Sequence, residues 1–368
     1  MRASIACNLE MSRPRAEPAQ RYMVSIDENT LTKIWYGNSP LVWFLVPLSW
    51  LYLAVSSCRS FLYRREILRA TSVAAPVVVV GNVTVGGTGK TPLTIWLAKK
   101  LKERGLTPGI VSRGYRGKVG PYPVEVRPES DPVVVGDEAI LLASESECIV
   151  VVHPNRVAAA SKAIELGADV IIADDGLQHH QLARNCEIAV IDGHRGFGNG
   201  RLLPAGPLRE RPTRLDTVDK VIVQRRAMQS SKILKRSSDR QALHFSLQPV
   251  AIRRLDRSET GDLSDFAAET VHGVAGIGNS ERFFNFLESF GMVVMRHPLA
   301  DHAVITAKDI QFDDDLPVVM TSKDAVKCRF PEAAKCWCVD VGVEFEGTEG
   351  DFLLELVTQK ISEATVGA

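Results

Sequence analysis

Residues 77–105, VVVVGNVTVGGTGKTPLTIWLAKKLKERG, constrain the fold of this chain more than any other stretch. The run from Val77 to Val80 is β-branched and shows no polar alternation. That is the pattern of a strand buried on both faces of a parallel sheet. A glycine loop follows. Beyond it, Leu93, Trp96, Leu97 and Leu101 share one face of a helix expected over about 91–104. Lys99, Lys100, Lys102 and Glu103 take the other face, and Gly105 provides the stop. Strand, glycine loop and helix in this order turn backbone N–H groups and a positive helix end toward an anion.

The loop Thr84-Val85-Gly86-Gly87-Thr88-Gly89-Lys90-Thr91 follows G-x-x-x-x-G-K-[ST] except that Thr84 replaces the first glycine. Gly86, Gly87 and Gly89 free the backbone amides to face phosphate oxygens. Lys90 is expected to reach the β- and γ-phosphates of ATP, and the Thr91 hydroxyl to bind Mg²⁺. Acids for the metal are expected at Asp174-Asp175, which close the apolar run DVIIADDG. Gln178, in the GLQHH that follows, is placed to join them. His179 and His180 read as structural or as supports behind the metal's own ligands, because no cysteine or distant histidine pair completes a zinc set.

Further apolar runs (CIVVVH, EIAVIDG, VDKVIVQ) alternate with the helical pattern NRVAAASKAIEL. The fold class expected is α/β: a doubly wound parallel sheet like that of P-loop NTPases, with a second, smaller α/β domain and an N-terminal hydrophobic helix. Ligands of such sheets sit at the carboxyl ends of strands. The Gly86 loop, Asp174 and Asp192 all fall there. A polar stretch after Gln224 marks a boundary. The organisation expected is an extension over 1–33, a membrane-associated region over 34–70, a nucleotide-binding domain over 71–225, a linker over 226–250 and a smaller domain over 251–368. Residues 1–22 are polar and unlike a signal peptide, and Met23 reads as an alternative start.

Lys plus Arg equals Asp plus Glu, at 44 each, so no global charge points to nucleic acid. The seven cysteines are irregularly spaced, which suits reduced thiols in a cytosolic body; Cys336-Trp337-Cys338 has no second motif to pair with. Leu41–Cys58 is uncharged. As a helix its length is roughly 27 Å, close to a bilayer's hydrocarbon core. Arg59, Arg64, Arg65 and Arg69 follow at once and favour a cytoplasmic C-terminal side. This helix is expected to span or insert deeply; the other reading docks it on the domain or in the membrane interface.

IWYGNSP, PLSWLY, GNVTVGGTGKTP, SRGYRG, VGDEAILLA, ADDGLQHH, NGRLLPAGPLRE, AGIGNSERFF, ADH and TSKDAVK occur in this order. With them the chain resembles the tetraacyldisaccharide 4′-kinases of lipid A biosynthesis, from about Ile34 into the C-terminal region. The resemblance implies transfer of the ATP γ-phosphate to the 4′-hydroxyl of a tetraacylated disaccharide 1-phosphate, with Mg²⁺, at the cytoplasmic face of the inner membrane. The partner implied is the membrane glycolipid; no nucleic acid and no obligate protein partner is expected. It also implies roles. Lys90 and Thr91 match the nucleotide lysine and metal hydroxyl, Asp137 the catalytic base, and His302 the histidine paired with it. Asp174, Gln178 and Glu210 match metal positions, and Arg209 sits by the phosphates. Two departures stand out: Ala303 replaces a second histidine, and VGDEA lacks the proline that commonly follows. Without the resemblance, Asp137 also reads as a helix cap and His302 as a turn histidine. Arg113, Tyr115 and Arg116 read equally as phosphate or sugar contacts and as solvated loop residues. The rival function is a membrane-tethered P-loop switch or partition-type ATPase acting through protein partners; it would leave Asp137 and His302 without a task.

Overall fold

The computed structural model describes residues 33–37, 39–115, 117–225, 242–301 and 303–366. The β-branched run forms β1 (Val77–Gly81), buried at every position. It lies between β5 (Val170–Asp174) and β6 (Cys186–Asp192), parallel to both. Next to β5 come β2 (Pro108–Ser112) and β4 (Ile149–Val152), also parallel; β3 (Val124–Val126) closes that edge antiparallel. On the far side β7 (Lys220–Arg225) pairs with β6. This half is the P-loop-type doubly wound sheet.

The sheet does not stop there. β8 (Leu243–Arg254) starts parallel to β7 and pairs antiparallel with β13 (Trp337–Phe345) along its length. β12 (Val318–Thr321), β10 (Thr270–Ala275) and β11 (Val293–Pro298) extend it in parallel, and β9 (Thr260–Gly261) hangs on β8. The thirteen strands described form one sheet. Residues 226–241 of the expected linker lie outside the described residues. From Leu243 on, that linker is strand.

Alternate β1 residues feed two cores. Val78 and Val80 pack with Leu93, Leu97 and Leu101 of α2 (Lys90–Glu103). Val77 and Val79 face Ala159, Ala160 and Ala163 of α5 (Arg156–Glu165), whose first turn Asn155 caps through Val157 N and Ala158 N. Two short helices precede it: α3 (Pro132–Val135) and α4 (Asp137–Ser146). In the second half α6 (Ser280–Ser289) buries Phe283, Phe284 and Leu287, and α7 (Ser322–Ala325) follows β12. The last helix, α8 (Glu349–Val366), returns to the first half. Its Leu353, Leu354, Val357 and Ile361 join the core of Leu93, Leu97 and Leu101. Each such side chain contributes about 1.5–3 kcal/mol by leaving water, so α8 ties the chain's end to the nucleotide half.

The uncharged N-terminal run is α1 (Val42–Arg64), with Pro47 inside. It is long and apolar enough to cross a membrane by length and composition. One face is fastened to the body. Ser49 Oγ donates to Leu202 O at 2.8 Å and accepts from Ala205 N at 3.0 Å, and Tyr52 Oη donates to Arg209 O at 3.0 Å. The other face leaves Trp43 65% and Phe44 81% exposed, with Trp50, Leu51 and Val55 beside them.

Candidate active site

The glycine loop starts where β1 ends, and α2 begins at Lys90. Gly86 at φ 109° and Gly89 at φ 82° take left-handed backbone, which a side chain would strain. At Gly89 an added Cβ would also meet Gln224 Oε1 and Phe245 Cζ, each at 3.1 Å. Gly87 differs: a Cβ there meets nothing within 4 Å. Thr88 is buried, and its hydroxyl accepts from Asn82 Nδ2 at 3.2 Å.

A second segment is zipped onto this loop by its backbone. Val85 N donates to Pro207 O and Arg209 N to Val83 O, both at 2.8 Å, with Thr84 bridged to Leu208. Pro207–Glu210 therefore lies antiparallel to Val83–Val85. This sets Arg209 at the loop's mouth, with Tyr52 of α1 holding its carbonyl.

Asp175 is where the two segments meet. It follows β5 in left-handed conformation, φ 50°, which aspartate tolerates better than most residues. Lys90 Nζ stands 3.4 Å from its Oδ1, and Arg209 Nη1 lies 2.8 Å from both oxygens. Burial opposes its charge, but Lys90 and Arg209 outweigh that and bring the carboxyl down to about 2. Asp174 is 3% exposed; Thr94 Oγ1 donates to its Oδ1 at 3.2 Å. Burial, with the Asp175 charge second, lifts it to about 6. Gln178 Nε2 donates to Asn82 O at 3.0 Å and to Glu210 Oε1 at 2.7 Å, and Gln178 Oε1 accepts from Arg209 at 3.3 Å. One connected patch thus gathers Lys90, Asp175, Gln178, Arg209 and Glu210, with Asp174 beside it.

Asp137 opens α4 and is 7% exposed. Its Oδ1 accepts from the next residue's amide, Glu138 N, at 3.0 Å, within the first turn of α4. Glu138 pairs with Lys323 of α7 at 2.8 Å.

Comparison with known proteins settles what this arrangement belongs to. Residues 41–361 match the family model described as tetraacyldisaccharide-1-P 4′-kinase. The chain belongs to that family. A tetraacyldisaccharide 4′-kinase of Nitrosococcus oceani is 43% identical over 331 residues, 89% of this chain and 94% of the relative. One from Alkalilimnicola ehrlichii is 46% identical over 297 residues, covering 81% and 87%. The crystal structure of LpxK from Aquifex aeolicus in complex with ATP superposes with a TM-score of 0.74 at 25% identity. It covers 87% of this chain and 99% of that one. Membership sets aside the switch or partition-type ATPase as the reading of this loop.

Seen as a member of the kinase family, the chain shows which of its expected site residues meet. Lys90, Arg209, Gln178 and Glu210 are joined by the contacts above, and Asp174 lies beneath them. His302 and Arg116 lie outside the described residues, as do residues 1–32 of the expected extension. His179 and His180 are both held near 4, by burial first and by neighbouring arginines second, so they are neutral at pH 7. His180 packs beside Tyr63 of α1, ring centres 5.6 Å apart, and the His179 carbonyl accepts from Arg184. Three participants escaped sequence reasoning. Asp175 was read only as half of an acid pair, though its position between Lys90 and Arg209 makes it the hub. Asn82 braces the loop. Arg156, 3% exposed, donates to the Asp174 carbonyl at 3.0 Å and fixes the end of β5. In the linear sequence Asp175 was signalled by the acid pair and Asn82 by its place within GNVTVGG, while Arg156 had no signal.

Proposed function

We infer that this chain transfers the γ-phosphoryl group of ATP to the 4′-hydroxyl of tetraacyldisaccharide 1-phosphate, as its family name describes. The observation that carries the reading is the convergence of Lys90 and Arg209 on one carboxylate at the mouth of the glycine loop. Two cations held there, beside backbone amides, suit a polyphosphate. A γ-phosphate entering the loop takes up both, and Asp175 then orients them from behind.

The residues fit Mg²⁺. The expected donors, Thr91, Asp174, Gln178 and Glu210, offer oxygen only, the preference of a hard cation. Among the described residues no cage of three or more His, Cys, Asp or Glu is gathered. That agrees with an ion held by one or two protein oxygens, phosphates and water. Asp174, whose burial lifts its carboxyl, is the acid a nearby cation would stabilise most. Thr91 and Asp174 would hold the ion, with Gln178 and Glu210 as further oxygen donors. When bound, Mg²⁺ neutralises charge developing on the phosphate oxygens.

The chain's own residues do the rest. The loop amides and Lys90 fix the β- and γ-phosphates, and Arg209 stabilises charge on the transferring group. Asp137, at the carboxyl end of the sheet, accepts the proton of the attacking sugar hydroxyl, a contribution of about 10²–10⁴-fold. His302 orients it. The exposed apolar face of α1 lies against the cytoplasmic face of the inner membrane. Because polar contacts at Ser49 and Tyr52 bind α1 to the body, we read it as lying in the interface rather than crossing. Acceptor and enzyme then share one surface, which raises their effective concentration.

The test supplies γ-labelled ATP, Mg²⁺ and the acylated disaccharide 1-phosphate in detergent micelles. Label is expected in the lipid as a bis-phosphate. Label found only as free phosphate would overturn the reading.

A further inference from the structure

We infer that Arg214 is a positioning residue: with Glu187 behind it, it fixes Gln178 and through Gln178 sets the guanidinium of Arg209 at the phosphate site. The inference rests on the reading of Arg209 as the residue that stabilises charge on the transferring group.

Gln178 is the link next to Arg209. Its Nε2 donates to Asn82 O at 3.0 Å and to Glu210 Oε1 at 2.7 Å. Both partners can only accept, so the amide nitrogen faces them and the amide oxygen is left for Arg209. Gln178 Oε1 accepts from Arg209 Nη1 at 3.3 Å. Asp175 holds the same guanidinium at 2.8 Å, so two groups together fix where it stands.

Glu210 is set in turn by Arg214, from the 3-10 helix Pro212–Thr217. Arg214 Nε lies 3.5 Å from Glu210 Oε2, the oxygen that Gln178 does not use. Arg214 Nη2 lies 2.5 Å from Glu187 Oε1 near the start of β6, and its Nη1 donates to Thr217 Oγ1 at 2.6 Å. Every nitrogen of this guanidinium thus has a partner. Glu187 Oε1 also accepts from Arg184 Nη1 at 3.0 Å. Arg184 donates further to the carbonyls of Leu177 and His179, the residues on either side of Gln178. Glu187 therefore joins two arms that end on one residue. One runs through Arg184 to the backbone around Gln178; the other runs through Arg214 and Glu210 to its side chain. The four charged side chains are 10–14% exposed, and two acids balance two arginines. In such surroundings an acid that loses its cation is costly to leave in place. Without Arg214, Glu210 turns toward water or another cation and no longer aligns Gln178.

A network that only stabilised the fold would lower activity in any background. One that acts through Arg209 has little left to lose once Arg209 is gone. The experiment is therefore a double-mutant cycle on kcat, run on the full chain with MgATP and the acylated disaccharide 1-phosphate in detergent micelles. Arg214→Met is expected to lower kcat about tenfold. In an Arg209→Ala background the same change is expected to cost less than about twofold. Glu187→Gln keeps the size of its side chain, is expected to repeat both results, and carries the test if Arg214→Met does not fold. Equal losses in the two backgrounds, or native kcat in Arg214→Met, overturn the role of Arg214 and leave the proposed reaction standing. If Arg209→Ala itself keeps native kcat, Arg209 does not stabilise the transferring group and the inference falls. A native chain that puts no label into lipid overturns the proposed function, and this inference with it, before any variant is compared.

Discussion

The donor side and the acceptor side of this site are built differently. On the donor side, one contiguous stretch supplies strand, loop and helix, and the left-handed glycines Gly86 and Gly89 fix its shape. On the acceptor side as we read it, Asp137 opens α4, a helix tied to the smaller half by two ion pairs, Glu138 with Lys323 and Glu145 with Arg253. Local backbone geometry makes the first rigid. The second depends on charged contacts, which tolerate small changes in how the halves sit. A loop that must cradle phosphates to within a hydrogen bond gains from rigidity. On the reading proposed above, in which Asp137 is the base for a bulky acylated sugar, it gains from adjustment.

Four substitutions sharpen or break this contrast. Lys90→Ala has the largest expected effect. Removing the loop's charge should lower kcat/KM by at least about 10³-fold, while the melting temperature stays within a few degrees; phosphoryl transfer and thermal melts check both. Turnover near that of the native chain would dissolve the donor side as drawn. Asp137→Ala should cut kcat about 10²–10⁴-fold and leave ATP affinity nearly intact, as read by kinetics beside nucleotide titration. Were ATP binding to collapse instead, Asp137 would belong to the donor side and the division would be wrong.

Gly87→Ala comes next. Its added methyl meets nothing within 4 Å of protein and the residue does not need positive φ. The variant should therefore fold and melt normally yet bind ATP about tenfold or more weakly, because the methyl stands where phosphate oxygens approach. Unchanged nucleotide affinity would show that the phosphates lie elsewhere. Phe44→Glu should have the smallest catalytic effect. A charge on the exposed face of α1 should reduce sedimentation with anionic vesicles several-fold, with kcat on micellar acceptor little altered. Vesicle binding equal to that of the native chain would remove α1 from the acceptor side.

The parts legible in the sequence were those whose cause is local. Val77–Val80 could only be a buried strand, and Asn155 before an alanine-rich run could only start a helix; both stand as read. Leu93, Leu97 and Leu101 are fully buried as their spacing required, while Trp96 instead packs on Phe345, ring centres 4.8 Å apart. The smaller half was legible as strands and a phenylalanine-rich helix. That β8 would weld it into the same sheet was not, because strand pairing is chosen among all available edges. Nor was the return of α8, though Leu353, Leu354, Val357 and Ile361 carry a helical apolar stripe. A stripe announces that a face will be buried and is silent about the partner.

What the sequence alone determined is the nucleotide loop, since glycine freedom, a helix start and a lysine beside it are properties of adjacent residues. The tertiary structure alone decided that Arg209 and Lys90 meet on Asp175, and that Lys323 reaches the start of α4. Those contacts join residues far apart in the chain, and only the registers of the strands bring their charges within reach of one another.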